Sequence, residues 1–410
     1  MVFYFWKTRS GLRGAPFLKL FLGFIKSLWT AIWKSAAVFI IGYLLVYAVY
    51  FIFTINYPAE KQVSDTKYIL TSFAGGYDNG INVCFPAAGA PIGRPMRCLA
   101  EVDIAMAGNA ITKPFAQYML GVLMVLQRSA GGNTAYFLGE VSSSGWWYYF
   151  PAVFLLKESI PSLILIFVAL AIALWNILKS IRRKNLCNSL FDYIGMNFAE
   201  FAMISFVVLY WGYSMKSPLN IGVRHILPTF PFMYILASGA IKKWISGRTR
   251  NEGNFFKFSL KGAFVAVLAI WFLSESLFAY PYYLSYFNQF AGGTENGYKY
   301  ATDSNYDWGQ DLKRLGVWAK ENNIGAIGID YFGGGNLKHY VSSSVPWSSS
   351  MGNPKEKGID WVAISVNTLE GAVGKLHAGV IRNPQDEYSW LPNPDKPYAK
   401  AGTSIFIYKL

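Results

Sequence analysis

The chain is short of charge, of cysteine and of nucleotide-binding signatures, and each shortage narrows what it can be. Charged residues fill 15% of its 410 positions, against about 25% in an average soluble domain. That deficit points to an integral membrane protein. The three cysteines form no CxxC, and no Cys/His spacing suits zinc. The one glycine-rich run, FGGGN at 332–336, lacks both the Walker lysine and the dinucleotide spacing, so nucleotide use is unsupported. His339 and His377 stand without a Ser or Cys nucleophile context and are given no role. No cleavable signal peptide is read at the start, because the first long apolar run continues far beyond an h-region.

What is plentiful is apolar and basic. Hydrophobic residues make up 53% and aromatic ones 18%, and 37 Lys and Arg face 23 Asp and Glu for a net charge of +14. Such a charge alone would suit nucleic acid. The basic residues instead sit in patches beside apolar segments, the positive-inside pattern, and no separate basic face remains for a nucleic-acid partner.

Taken in order, residues 1–34 form a basic, amphipathic cytoplasmic segment carrying Lys7, Arg9, Arg13, Lys19, Lys26 and Lys34. Residues 35–56 hold the first span, uncharged over about 20 residues. Residues 57–147 read as an extracytoplasmic loop with one short helix near 115–126, ending in the interfacial aromatics Trp146 to Tyr149. Residues 148–282 hold four further spans, near 160–178, 197–213, 226–241 and 262–282. Basic clusters at the start, after the second span and after the fourth all fall on one side, the cytoplasm. Residues 283–410 then lie outside as an α/β domain, with a helix over 311–322 and strands at 326–331, 361–366 and 404–409. The expected fold is an α-helical integral membrane protein of about five spans with an extracytoplasmic α/β C-terminal domain.

The polar groups at the outer ends of the spans are the candidates for chemistry. Lys216, Arg224 and His225 share one short extracytoplasmic loop, and a cation at that depth either binds a lipid phosphate or anchors the interface. Lys157 and Glu158 read either as a self-neutralising interfacial pair or as the lining of a cavity. Glu200 and Glu275 are carboxylates near span ends, assigned to the interface or to helix packing. Loop 57–147 offers Asp65, Asp78, Glu101, Asp103 and Glu140, none in a motif of specific spacing. Glu140 is the weak candidate for a catalytic base, because it reaches the membrane surface. Cys84 and Cys98, on the non-cytoplasmic side, are either a disulfide or two buried thiols. DSNYDWGQD at 303–311 has calcium-loop residues in the wrong register, and its acids suit the entry to a helix near Gln310 instead; no metal is assigned.

Three segments carry a resemblance: GEVSSSGWWYYFPAVFLLKESIP (139–161), LNIGVRHILPTFPF (219–232) and YPYYLSYFNQFAGGTENGYKYATDSNYDWGQDLKRL (280–315). They resemble the later half of bacterial glycosyltransferase family 39, relatives of the protein O-mannosyltransferases. The resemblance covers about residues 35–330 and implies sugar transfer from a polyprenyl-phosphate-linked donor outside the cytoplasm. It implies a bacterial inner membrane location and no cofactor beyond that donor. Family members begin with several more spans and an acidic motif in their first outer loop, for which no counterpart is found here. The expectation is therefore a glycosyltransferase, or the C-terminal portion of one, whose partners are membrane lipid, the lipid-linked sugar and a separate chain supplying the earlier spans. The alternative is a non-catalytic membrane protein that binds glycan, lipid carrier or a partner subunit. Arg224, His225 and Lys216 would hold the donor phosphate.

Overall fold

The computed structural model describes residues 17–76, 95–182, 193–246, 260–377 and 380–410. The chain divides into two compact units, one built mainly from residues 1–131 and the other mainly from 132–410. Most of the described chain is helical, and four helices are long and apolar enough to cross a membrane.

In the first unit, α1 (Phe17–Thr54) is one continuous helix of 38 residues. No proline or glycine pair interrupts it, so the basic stretch and the span expected beside it share one helix. Its apolar side chains stay largely exposed, a cost in water that lipid removes. Three shorter helices follow: α2 (Ala59–Ile69), α3 (Pro95–Ala107) and α4 (Lys113–Gly131). Among its described residues, the segment expected to be mostly loop is thus largely helix. The buried Lys113 donates to the carbonyls of Tyr57 (3.0 Å) and Ile55 (3.4 Å), just past the end of α1. Arg97 of α3, 1% exposed, donates to the carbonyls of Leu70 and Phe73 and pairs with Glu101 at 2.7 Å. Leu70, Phe73, Ala100, Leu120 and Leu123 form the small core around it.

The second unit opens with the hairpin β1 (Ala135–Phe137) and β2 (Glu140–Ser142). Leu138 and Gly139 turn it, both with positive φ, as a tight two-residue turn requires. Helix α5 (Tyr149–Lys157) leads to α6 (Ile160–Arg182), and then come α7 (Phe198–Lys216), α8 (Phe230–Ser246) and α9 (Leu260–Phe278). Of the five expected spans, the one at 226–241 appears as α8, which has only 17 residues and follows two 3-10 turns. Pro228 cannot donate into a longer helix, so the regular turns begin after it.

The C-terminal part carries α10 (Leu312–Glu321), β3 (Ile327–Asp330), α11 (Leu337–Tyr340), β4 (Ser344–Pro346), β5 (Trp361–Ser365) and α12 (Val366–Val373). It ends with β6 (Lys375–Leu376), β7 (Ala399–Ala401) and β8 (Ile405–Lys409). Five strands form a mixed sheet in the order β4-β3-β5-β8-β7, with β3 parallel to β4 and β5, and β8 antiparallel to β5 and β7. Strand β6 instead joins β2 in parallel. Period-two alternation splits the sheet's faces. Ala363, Ile405 and Ile407 pack with Leu312 and Leu315 of α10. Val362, Ile364, Phe406 and Tyr408 enter a larger core that runs through Phe287, Tyr298 and Tyr306 to Phe150 of α5 and Leu163 of α6. That shared core fixes the sheet against the helix ends where the candidate site lies.

Candidate functional site

The site begins at the break between α5 and α6. Helix α5 ends at Lys157, and its last carbonyls would lack partners. Asn288, fully buried, supplies them: its Nδ2 donates to Leu155 O (2.7 Å) and Glu158 O (2.8 Å), and its backbone N–H donates to Leu156 O (2.8 Å). The break is therefore rigid, and it turns Lys157 and Glu158 in different directions.

They do not pair with each other, which overturns the self-neutralising alternative. The half-buried Lys157 donates to the carbonyls of Leu284 (2.8 Å) and Asn305, and its ammonium lies 4.6 Å from the Phe287 ring centroid. Burial pulls its pKa down to about 7, while two carbonyl dipoles and a ring face favour the charged form. Glu158, 7% exposed, accepts from Tyr234 OH at 2.9 Å. Burial raises its pKa, and the negative charge of Glu275 adds to the rise. Glu275, 8% exposed on α9, accepts on Oε1 from Tyr286 OH (2.8 Å) and Gln289 Nε2 (2.7 Å); its Oε2 is buried with no hydrogen-bond partner.

Lys157, Glu158, Tyr234, Glu275, Tyr283 and Tyr286 line one cavity of about 230 Å³. Two carboxylates, one cation and three phenols thus converge at the ends of apolar helices. Chemically, a buried carboxylate with a raised pKa can take a proton from a hydroxyl, and an adjacent ammonium can stabilise a leaving oxyanion. The cavity has room for a sugar ring or a phosphate group, not for a lipid-linked donor as a whole.

Beside it lies the predicted phosphate locus. Arg224 and His225 sit in the 3-10 turn Val223–His225. Asn305, fully buried, ties that turn to α5: its Oδ1 accepts from Val223 N (2.9 Å) and its Nδ2 donates to Tyr149 OH (2.8 Å), while its carbonyl takes Lys157. Gly222 precedes the turn with φ +149°, and a Cβ there would run into Ser304 Oγ. Arg224 stacks 4.5 Å from the half-exposed Trp308 ring, and no ion pair among the described residues engages it. The His225 ring lies 6.5 Å from Phe150.

The other candidates are elsewhere. Lys216 is exposed at the end of α7 and shares no hydrogen bond or ion pair with Arg224 among the described residues. Glu140 is half-buried in β2, opposite Phe137 and Lys375, and does not line the cavity. Cys98 is disulfide-bonded; Cys84 lies outside the described residues, as do Asp78 and Cys187. Trp146 and Tyr149, expected at the interface, are buried instead, because the aromatic cluster around Phe137 takes them in. Asp307 and Asp311 are also buried and spent on backbone donors. Asp307 accepts from Gly309 N and Asn367 N, and Asp311 accepts from Thr403 N and Ser404 N while pairing with Arg314. Glu200 binds Lys243 (2.9 Å) and Tyr193 OH (2.7 Å).

Sequence reasoning did not bring Glu275, Tyr234 and Tyr286 together with Lys157 and Glu158. The available signal was a carboxylate within an apolar helix, which is a functional candidate by position. No family model, curated protein or solved structure matches the chain, so the functional case rests on these residues and on the three quoted segments.

Proposed function

We propose that the chain is a membrane glycosyltransferase, or the C-terminal portion of one, that takes a sugar from a polyprenyl-phosphate-linked donor on the extracytoplasmic face. The observation that carries this proposal is the cavity shared by Glu158, Glu275 and Lys157. Transfer needs a carboxylate to accept the acceptor's proton and cations to stabilise the departing lipid phosphate. Glu275, with one carboxylate oxygen unpartnered, is assigned as the base in place of Glu140. Lys157 and Arg224, which no ion pair among the described residues engages, are assigned to the phosphate, and the apolar helices to the prenyl chain. In this proposal the basic clusters face the cytoplasm of a bacterial inner membrane, and five segments cross the bilayer, α8 among them. A separate chain supplying further spans would complete the enzyme.

The test uses the purified chain in nanodiscs, with and without a co-expressed N-terminal partner, supplied with polyprenyl-phosphate sugars. Glu275→Gln is expected to lower transfer or donor hydrolysis by about 100-fold or more, the scale of a lost general base, with donor binding kept. Arg224→Ala is expected to weaken donor binding. Absence of both transfer and hydrolysis overturns the enzyme assignment. One observation favours the non-catalytic alternative: Lys157 is already engaged by two carbonyls. Donor binding without turnover would select that alternative.

A further inference from the structure

Helix α3 is built the wrong way round for water. Among its described side chains the exposed ones are Met96, Leu99, Val102 and Ala105, the first three 44–49% exposed, while Arg97 and Asp103 are buried. A surface helix of a soluble domain does the reverse, with its apolar stripe inward and its charges outward. Helix α4 likewise exposes Met124, Val125 and Leu126. Inside the unit the two buried cations find protein partners. Arg97 takes the carbonyls of Leu70 and Phe73 and the carboxylate of Glu101, and Lys113 takes the carbonyls of Ile55 and Tyr57. Ionisable groups within a bilayer are held in this way, turned to the protein interior and bonded to backbone oxygens.

The contacts of α4 set the depth. Its Phe115 ring lies 4.9 Å from Tyr47 of α1, and its Tyr118 ring lies 5.7 Å from Tyr50 and 6.3 Å from Tyr43. Tyr43 stands 11 positions before Thr54, about 16 Å along the helix, inside the segment apolar enough to cross a membrane. Helix α4 thus starts beside the last turns of that segment, and Ala100 of α3 shares a core with Leu120 and Leu123 of α4. The exposed residues of α2, by contrast, include Glu60, Lys61, Ser64 and Lys67, which call for water. From these features we infer that α3 and α4 are embedded in the bilayer leaflet at the Thr54 end of α1, with Met96, Leu99 and Val102 of α3 against lipid acyl chains and α2 at the aqueous surface. The occupant of the α3 face is lipid and not a helix of another chain. At steps of three, its four exposed residues spread over an arc of about 180° around the helix, wider than the seam of a helix pair. Met, Leu and Val are also not the small or hydroxyl-bearing residues that such seams favour in membranes. The inference rests on α1 crossing the bilayer and not on the transferase assignment.

The test places single nitroxide labels on the full chain in phosphatidylcholine nanodiscs, with the signal of the equally treated unsubstituted chain subtracted. The labels go at Val102→Cys on α3, at Ser64→Cys on α2 and at Val38→Cys, 70% exposed on α1. Collision with oxygen, which concentrates in lipid, is compared with collision with a neutral nickel chelate, which stays in water. Val102 and Val38 are expected to favour oxygen, and Ser64 the nickel chelate. In the same nanodiscs Val102→Asp is expected to lower the Tm by about 5 °C or more, the scale of a charge moved into lipid, and Ser64→Asp to leave it unchanged. A nickel preference at Val102 beside an oxygen preference at Val38 overturns the inference and leaves α1 in the bilayer. A nickel preference at Val38 overturns both. Low collision with both reagents at Val102 shows a protein surface over the α3 face and overturns the assignment to lipid, as does an unchanged Tm for Val102→Asp.

Discussion

Individual side chains decide much of what this chain can do, because a handful of its charges, Asp103, Glu158, Glu275 and Asp311 among them, are buried. Asp103 is the sharpest case outside the candidate site. It is 1% exposed, both its carboxylate oxygens lack partners, and burial pushes its pKa up from 3.8 to about 7. The folded state therefore binds a proton more tightly than the unfolded one. Its cost is absent below about pH 4, grows as pH rises and is complete above about pH 7, so the group lowers stability with rising pH. Asp103→Leu is expected to raise the Tm by a few degrees at pH 8 and to leave it nearly unchanged at pH 4; melting curves at both values check this. Glu275 and Asp103 were both visible in the sequence as carboxylates. Which of them lines a cavity and which is simply buried was not visible, because that depends on helices distant in the chain.

At the scale of elements, the stretch 280–314 does the most. In the sequence it is a boundary between apolar segments and a polar domain, and also the longest of the three family-like segments. In the structure its residues hold the parts of the second unit together: Asn288 caps α5, Asn305 joins Lys157 to the turn that carries Arg224, and Asp311 binds the loop before β8. Asp311 is fully buried and accepts from Thr403 N at 3.0 Å, Ser404 N at 2.9 Å and Ser404 Oγ at 2.9 Å. Removing it leaves these donors and Arg314 without their anion. Asp311→Ala is expected to destabilise the second unit by about 3 kcal/mol or more, read by denaturant unfolding, with Asp311→Asn intermediate. Helix α10 and strands β3, β5 and β8 were legible to within one or two residues, because their apolar periodicity is undisturbed. The hairpin of β1 and β2, and its parallel partner β6, were not: strands of two or three residues hold too few to show a period, and the pairing of β2 with β6 is long-range. Helices α2 and α3 were hidden for another reason. Their mixed polar composition resembles loop, and only burial of Gln62, Thr66, Arg97 and Asp103 shows them as packed helices.

For the molecule as a whole, the proposal that basic clusters face the cytoplasm makes a direct prediction. Lys243 and Ser350 are both exposed. In intact cells, Ser350→Cys is expected to react with a membrane-impermeant thiol reagent added outside, and Lys243→Cys only after the membrane is opened; labelling read by gel shift decides it, and the reverse pattern overturns the orientation. The sequence by itself determined that the chain has long apolar helices, basic clusters beside them and an α/β ending. Those follow from composition and local periodicity, which act within one segment at a time. Only the tertiary structure decided that Lys157 and Glu158 part company, that Glu275 joins Glu158 in one cavity, and that Glu140 stands apart. The physical reason is that a carboxylate's burial, partners and proton affinity are set by neighbours brought in by folding, and no local pattern encodes them.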